Sequence, residues 1–158
     1  MRPIIIWDID GTLANCDERL PYLLNEVPPN WEAFDSLTLS DTPIEQMVTL
    51  NQLLSANMGI NIVLLTSRND TVREMTEEWL DLHSINYDSL EMRKDGDHRS
   101  AAIVKIERLG QLGYAPEDVI TIFEDDPHVT TKLREAGYHV CLVDDRPYVH
   151  ITNEGGRP

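Results

Sequence analysis

Residues 4–12 read Ile-Ile-Ile-Trp-Asp-Ile-Asp-Gly-Thr, and this stretch decides the fold. It begins with a continuous apolar and mostly β-branched run, which is typical of a strand buried on both faces of a parallel sheet. We therefore predict a first strand over residues 3–9. Asp8 and Asp10 lie at its end, and residues two apart in an extended chain point to the same side. A buried strand that ends in two carboxylates indicates a site at the edge of a sheet.

Apolar runs and helical periodicity alternate through the rest of the chain. Further strands are predicted over residues 60–65, 87–92, 119–123 and 138–143. Helices are predicted from Asp41 or Thr42 to about Asn57, from Asn69 or Asp70 to about His83, from Ser100 to Leu112, and from Pro127 to Ala136. This order favours an α/β fold with a parallel sheet covered by helices on both faces. We expect one domain over residues 1–147 and a loosely attached C-terminal tail over residues 148–158.

The segment over residues 14–41 interrupts this alternation. Its leucines hint at a helical turn, but Pro21, Pro28 and Pro29 prevent a long regular element. We expect a small lid segment or an irregular connection here. The segment is short for a cap domain, so the site should be open, with a minimal cap or none.

The charge balance limits the partners. The 158 residues include 28 Asp plus Glu and 13 Lys plus Arg, which gives a formal net charge of −15. General nucleic-acid binders carry an excess of basic charge, so we expect no extensive contact with a duplex. The apolar run at the start is too short for a signal peptide or a membrane span. We therefore expect a cytoplasmic protein without a membrane partner.

Acidic and polar residues follow three of the predicted strands. They are Asp8 and Asp10, then Thr66 and Arg68, then Asp125 and Asp126. Ligands of a parallel α/β sheet bind outside the carboxyl ends of its strands, so these side chains should converge. Carboxylates held close together repel, and a divalent cation relieves that repulsion. Because oxygen ligands favour Mg²⁺, we expect a magnesium site, with the metal ligand of the Asp125-Asp126 pair left open.

The residues resemble the four motifs of the haloacid dehalogenase superfamily of phosphotransferases. The matching positions are Asp8-Ile9-Asp10-Gly11-Thr12, Thr66, Lys105 and Asp125-Asp126. The resemblance implies a single Rossmann-like, three-layer domain in which Asp8 attacks phosphorus and becomes an aspartyl phosphate. Asp10 would protonate the leaving oxygen and later take a proton from water. A carboxylate is a competent covalent nucleophile when it is positioned in line.

The same resemblance assigns the remaining catalytic and metal roles. Thr66 would donate a hydrogen bond to a phosphoryl oxygen, and Lys105 would neutralise charge on the aspartate and the phosphate. Mg²⁺ would bridge Asp8, the backbone carbonyl of Asp10, and one carboxylate of the Asp125-Asp126 pair. Thr12 belongs to the predicted substrate-binding residues.

A narrower resemblance concerns residues 93–105. Arg93, the Gly-Asp-x-Arg segment over residues 96–99 and the Ile-Val-Lys run ending at Lys105 are similar to the polynucleotide 3′-phosphatase family, as in the phosphatase domain of bacteriophage polynucleotide kinase. The resemblance implies that Arg68, Arg93 and Arg99 contact the substrate. The sequence departs from that family in two places, with Ser100-Ala101-Ala102 where the family has acidic residues and Pro127 where it has an arginine. No Gly-x-x-x-x-Gly-Lys-Ser/Thr phosphate loop occurs, so no kinase activity is expected.

These features predict a magnesium-dependent phosphomonoesterase that removes 3′-phosphates from DNA or RNA ends through an aspartyl phosphate. The alternative is a phosphatase of nucleoside monophosphates or another small phosphomonoester. A third interpretation is a non-enzymatic phosphoacceptor domain of the response-regulator type, which also uses aspartates, a threonine and a lysine. The order of the motifs disfavours it, because the acidic pair comes first and the acceptor later in such domains.

Overall fold

The computed structural model describes residues 2–56 and 58–143. The strands are β1 (Ile4–Trp7), β2 (Ala14–Asn15), β3 (Thr42–Pro43), β4 (Asn61–Asn69), β5 (Ser89–Arg93), β6 (Val119–Glu124) and β7 (Val140–Leu142). The helices are α1 (Pro21–Leu24), α2 (Trp31–Ser36), α3 (Glu45–Ser55), α4 (Arg73–Leu82), α5 (Ala101–Gln111) and α6 (Pro127–Glu135), with 3-10 turns at Thr38–Ser40, Asp70–Val72 and Pro116–Asp118. Among the described residues, no helix is both long enough and apolar enough to cross a membrane.

The central sheet has five parallel strands in the order β5-β4-β1-β6-β7. After β1 the chain builds one side of the sheet with β4 and β5, and it then crosses back to build the other side with β6 and β7. The reversal of direction opens a crevice outside the carboxyl ends of β1 and β6, where ligands of such sheets bind. The predicted α/β fold with a parallel sheet is confirmed.

Strand β1 is buried on both faces because it lies in the middle of this sheet. Ile5 and Trp7 belong to the core beneath α3 and α4, whereas Ile4 and Ile6 belong to the core beneath α5 and α6. Successive side chains of a strand point to opposite faces, so a run of four apolar residues serves two cores at once. This explains why the run is continuous and not alternating, and it gives the three-layer arrangement.

One predicted helix begins later than the sequence indicates. The pattern around Asp41, Thr42 and Pro43 predicts a cap and a first helical turn, but α3 begins at Glu45. Thr42 and Pro43 instead form β3, which pairs with β2 in an antiparallel ladder, and the Asp41 carboxylate binds two arginines. The predicted end of this helix at Asn57 lies outside the described residues, as do the predicted domain end at residue 147 and the tail over residues 148–158.

The predicted lid segment over residues 14–41 contains more regular structure than expected. It begins with β2 and includes the short helices α1 and α2. Its own small core consists of Cys16, Leu23 and Phe34, packed against Leu20, Tyr22 and Trp31. The segment therefore folds as a compact addition beside the sheet.

The structure predicts a large difference between two leucines on neighbouring helices. Leu80 in α4 is fully buried, whereas Leu53 in α3 is 69% exposed. We expect Leu80→Ala to lower the free energy of unfolding by about 2 to 5 kcal/mol, because it leaves a cavity in the core. Leu53→Ala is the matched control and should change it by no more than about 0.5 kcal/mol. Urea denaturation of both variants measures the difference, and equal losses would contradict this packing.

Candidate active site

The Asp8 carboxylate lies where β1 enters the crevice. Trp7 and Phe123 are register partners in β1 and β6, and their rings stack with centroids 4.1 Å apart. The next backbone N–H, that of Asp8, donates to the Phe123 carbonyl oxygen at 2.9 Å. Asp8 is buried, with 6% of its surface exposed. The pairing of the two strands thus fixes the predicted nucleophile beside the end of β6.

Lys105 brings the compensating positive charge to this end of the sheet. Its Nζ donates to Asp8 Oδ1 at 2.7 Å and to Glu124 Oε2 at 2.6 Å. Burial alone would lower the pKa of this lysine, but the two carboxylates hold it above its usual range. Helix α5 thus delivers the predicted lysine to the predicted nucleophile. Glu124 was not among the predicted residues, although it directly precedes the Asp125-Asp126 pair.

Asp125 completes a group of three acidic side chains. Oxygen atoms of Asp8, Glu124 and Asp125 lie within 4.8 Å of one another. Asp125 also packs against Gly11, where an added Cβ would lie 1.9 Å from Asp125 Oδ2. Gly11 adopts a φ of +78°, which other residues rarely take. Glycine is therefore required in the first motif both by the turn and by the approach of this carboxylate.

The donor chemistry of this group fits a divalent cation. Burial raises the pKa of Asp8 to about 7, with Lys105 opposing the shift. Burial and repulsion from Asp8 and Glu124 raise the pKa of Asp125 to about 9. The raised pKa values of Asp8 and Asp125 indicate that Lys105 neutralises the negative charge of the three carboxylates only in part. All the donor atoms of this group are oxygens, and the Asp8 and Asp125 carboxylates lack sufficient positive charge nearby. Both properties match the preference of Mg²⁺.

The Asp126 side chain, unlike that of Asp125, caps a helix. Its Oδ1 accepts from the backbone N–H groups of His128 at 2.6 Å and of Val129 at 3.2 Å, so it caps the N-terminus of α6. Of the pair that the sequence left open, Asp125 is the residue that joins the carboxylate group. The Asp-Pro sequence at residues 126–127 is a typical helix start and could have indicated this division.

The Asp10 carboxylate binds two arginines. Arg19 Nη2 donates to Asp10 Oδ1 at 2.6 Å, and Arg68 Nη2 donates to the same oxygen at 2.7 Å. Burial would raise the pKa of Asp10, but Arg68 and Arg19 hold it well below its usual range. Both guanidinium groups also bind Asp41, a buried carboxylate whose place in the sequence is typical of a helix cap.

The predicted threonines are both buried at the same edge. Thr66 is 2% exposed, and its hydroxyl oxygen accepts from the Arg68 backbone N–H at 3.2 Å. Thr12 is fully buried, and within the described part of the chain its hydroxyl has no hydrogen-bond partner. The hydroxyl of Ser67 is likewise without one there. Polar atoms of this kind are expected to bind water or ligand oxygen atoms.

The three arginines predicted to contact substrate all bind protein groups. Arg68 binds the carboxylates just described. Arg93 is buried, and its guanidinium donates to the backbone carbonyl oxygens of Ser67 at 3.1 Å, Asp97 at 3.0 Å and Arg99 at 2.6 Å, so it holds the loop after β5. Arg99 is half-exposed and forms ion pairs with Asp97 and Glu107. Their predicted role in binding substrate stays a prediction.

The fold and the site together define a class of protein. A parallel five-stranded sheet with a nucleophile candidate after the central strand, a buried lysine and an acidic group at the neighbouring strand end are features of haloacid dehalogenase superfamily phosphatases. The chain belongs to the family of the polynucleotide kinase PNKP phosphatase domain, whose model matches residues 2–148. It is thus a phosphatase of the haloacid dehalogenase superfamily by family, which disfavours the non-enzymatic phosphoacceptor interpretation. No curated protein matches the chain in sequence.

The chain is also similar to several solved structures. A chain of the Pnkp1/Rnl/Hen1 RNA repair complex is 28% identical, with a TM-score of 0.71 and a match that covers 89% of this chain and 42% of that chain. A chain of a second Pnkp1/Rnl/Hen1 complex is 27% identical, with a TM-score of 0.73 and coverage of 89% and 45%. This protein therefore spans less than half the length of those chains. A haloacid dehalogenase-like hydrolase from Streptococcus pneumoniae, 17% identical, shares the fold with a TM-score of 0.63 and coverage of 87% and 82%.

The carboxylate group predicts a characteristic pH dependence of stability. Asp8 and Asp125 have folded-state pKa values of about 7 and about 9, above the ordinary value of 3.8, so the folded protein binds their protons more tightly than the unfolded chain. Without a divalent metal, the free energy of unfolding should therefore fall as the pH rises from about 4 to about 9. Saturating Mg²⁺ should reduce this fall, because it stabilises the ionised carboxylates.

Urea denaturation at several pH values, with EDTA or with Mg²⁺, measures this effect. Asp10 does not obscure it, because its depressed pKa affects stability only at pH values below its ordinary range. A pH dependence that Mg²⁺ leaves unchanged would contradict metal binding by these residues.

Proposed function

We propose that this protein removes 3′-phosphates from the ends of nucleic-acid strands in a magnesium-dependent reaction with Asp8 as nucleophile. The observation that carries the proposal is the position of the Asp8 carboxylate, buried at the end of the central strand, bound to Lys105 at 2.7 Å and next to Asp125. Membership in the PNKP phosphatase domain family supports the choice of substrate. The cytoplasmic location expected from the sequence stays a prediction.

The proposed reaction has two steps. In the first, an oxygen of the Asp8 carboxylate forms a bond to phosphorus while the bond from phosphorus to the ester oxygen breaks, and Asp10 gives a proton to the departing oxygen. In the second, water attacks the aspartyl phosphate and gives a proton to Asp10. The products are the alcohol and inorganic phosphate, and Asp8 is restored. The arginines that surround Asp10 favour its ionised form, which accepts the proton of water in the second step. Asp10 must carry a proton in the first step, and the negative charge of the bound phosphate opposes the arginines and favours that protonated form.

The other residues bind and orient the reacting groups. Lys105 orients the Asp8 carboxylate and balances its charge, and the Thr66 and Thr12 hydroxyls are available for phosphoryl oxygens. Asp8, Asp125 and the Asp10 carbonyl oxygen would hold Mg²⁺, whereas Glu124 is bound to Lys105. When bound, the ion supplies positive charge that stabilises the phosphoryl oxygens in the transition state.

Two features support a strand end as substrate. The lid segment over residues 14–41 is small, so a polymer can approach the site with its terminal phosphate. The related chains come from an RNA repair complex, so RNA ends should be tested as substrates together with DNA ends. A net charge of −15 argues for recognition confined to the terminal phosphate and its neighbour, with a shallow dependence of affinity on salt.

A second candidate function is hydrolysis of nucleoside monophosphates, and the protein contacts of Arg93 and Arg99 favour it. Arg93 binds three backbone carbonyl oxygens, and Arg99 binds Asp97 and Glu107. Protein groups therefore already bind both guanidinium groups. A site with few cationic groups available for the next phosphate of a strand gains little binding energy from a polymer over a free nucleotide. The assay must therefore compare a strand end and a free nucleotide directly.

The nucleophile is tested by Asp8→Asn. The amide cannot form the aspartyl phosphate, so we expect turnover to fall by about 10⁴-fold or more, to the level of the assay background. Asp81→Asn is the matched control, because Asp81 is an exposed aspartate of α4. It should retain wild-type turnover. Phosphate release is measured with Mg²⁺, and retained activity in Asp8→Asn would exclude Asp8 as the nucleophile.

The substrate is tested by phosphate release from matched compounds in the presence of Mg²⁺. The panel contains DNA and RNA oligonucleotides with a 3′-phosphate, the same oligonucleotides with a 5′-phosphate, and nucleoside 3′- and 5′-monophosphates. We expect the highest kcat/KM, by about 10-fold or more, for oligonucleotides with a 3′-phosphate, because binding energy from the neighbouring nucleotide lowers the barrier. Excess EDTA should abolish all turnover. Higher kcat/KM for free nucleotides would replace the first candidate by the second.

A further inference from the structure

Asp41 forms a buried cluster with Asp10 and two arginines. Arg19 donates to Asp41 through Nε at 2.6 Å and through Nη2 at 2.6 Å, and that Nη2 also donates to Asp10. Arg68 Nη2 donates to Asp41 at 3.0 Å and to Asp10 at 2.7 Å. The two guanidinium groups therefore lie between the two carboxylates. With two positive and two negative charges, the cluster is neutral.

The surroundings hold Asp41 in place on three sides. Its backbone carbonyl oxygen accepts from the indole N–H of Trp79 in α4 at 2.8 Å. The 3-10 turn at Thr38–Ser40 precedes it, and β3, paired with β2, follows it. Only 1% of its side chain is exposed, compared with 23% for Asp10. Asp41 is thus the enclosed end of the cluster, and Asp10 is the end that opens to the site.

The guanidinium group of Arg19 has contacts with Asp10, Asp41 and Phe34. Arg19 is fully buried, its Nη1 donates to the Phe34 carbonyl oxygen at 2.9 Å, and its guanidinium carbon lies 4.0 Å from the centre of the Phe34 ring. Such an arginine can be held in one orientation only if its carboxylate partners are also fixed. Asp41 supplies the paired contact to Nε and Nη2 that sets the plane of the guanidinium group.

We propose that Asp41 is a positioning residue for the phosphatase reaction, which fixes the Asp10 carboxylate through Arg19 and Arg68 without touching the substrate. Without the Asp41 charge, two buried guanidinium groups share one carboxylate, and either of them can turn towards the phosphate or Asp8. Asp10 then loses its fixed orientation towards the ester oxygen. A displacement of about 1 Å in a catalytic group can lower a rate by about 100-fold.

The test uses the dependence of the reaction on the leaving group. A nucleoside 3′-phosphate has an alkoxide leaving group, which needs the proton of Asp10, whereas p-nitrophenyl phosphate has a stable leaving group, which does not. The kcat/KM value reports the steps up to departure of that group. For Asp41→Asn we expect kcat/KM to fall by about 10-fold to 100-fold with the nucleoside 3′-phosphate and by less than about 3-fold with p-nitrophenyl phosphate.

The matched control is Glu91→Gln. Glu91 in β5 has a mostly buried side chain that accepts from Nε and Nη2 of Arg108, as Asp41 accepts from Arg19, but it lies outside the Asp10 cluster. It should leave kcat/KM for both esters within about 2-fold of the wild type, since loss of this pair affects only local packing. Thermal unfolding of each variant shows whether it is folded at the assay temperature.

Trp79→Phe is a second variant for the case in which Asp41→Asn does not fold. It keeps an aromatic ring in the core and removes the N–H that binds the Asp41 carbonyl oxygen. It should give a selective loss for the nucleoside 3′-phosphate in the same direction and of smaller size. Equal losses for both esters, or no loss for either, in whichever of the two variants folds would overturn the positioning role.

Because Asp10 is the acid and base only in the proposed reaction, the positioning role rests on that function. The two are nevertheless distinguishable in the same assay. A wild-type protein that hydrolyses neither ester, or an active Asp8→Asn variant, would overturn the proposed function and the role of Asp41 with it. An active wild type, an inactive Asp8→Asn variant and a non-selective Asp41→Asn variant would overturn the role of Asp41 alone.

Discussion

Repulsion among the carboxylates at the ends of β1 and β6 is the constraint on which the rest of the site depends. The parallel pairing of these strands places Asp8 beside Glu124, and Asp125 packs against the Gly11 turn. An ionised carboxylate removed from water costs several kcal/mol unless it is paired. Every other charged group near the crevice can be understood as a response to that cost.

The compensation is divided into two halves. On one side Lys105 binds Asp8 and Glu124, and on the other Arg19 and Arg68 bind Asp10. The division leaves Asp8 and Asp125 with raised pKa values and Asp10 with a depressed one. Neighbouring carboxylates thus differ in their tendency to bind a proton, and Asp8 depends on further positive charge, such as that of a divalent cation, for the ionised state that the proposed nucleophile needs. The group of Asp8, Glu124 and Asp125 has only Lys105 as its cation, and its carboxylate oxygens converge as the ligands of a divalent cation do.

The sequence predicts those parts of the molecule that depend on local pattern. The run before Asp8 predicts a buried strand, the strand ends predict that Asp8 meets the Asp125-Asp126 pair, and the family resemblance adds Lys105. Residues that act through distant partners carry no such signal. Arg19 lies in a proline-containing segment without periodicity, and Asp41 precedes Thr-Pro, a typical helix start. The sequence likewise shows that Arg93 and Arg99 are charged but not that backbone carbonyl oxygens and acidic side chains of the protein already bind them.

The arginine cluster also changes the meaning of the small lid segment. Arg19 lies near its beginning and Asp41 at its end, and both bind the cluster that contains Asp10. The segment cannot move away from the sheet without separating buried opposite charges, which costs several kcal/mol. A cap that opens and closes over a small substrate needs a weaker attachment than this. The segment is therefore better understood as a fixed part of the site than as a moving cap, and a fixed, small segment is compatible with the proposed approach of a strand end to Asp8.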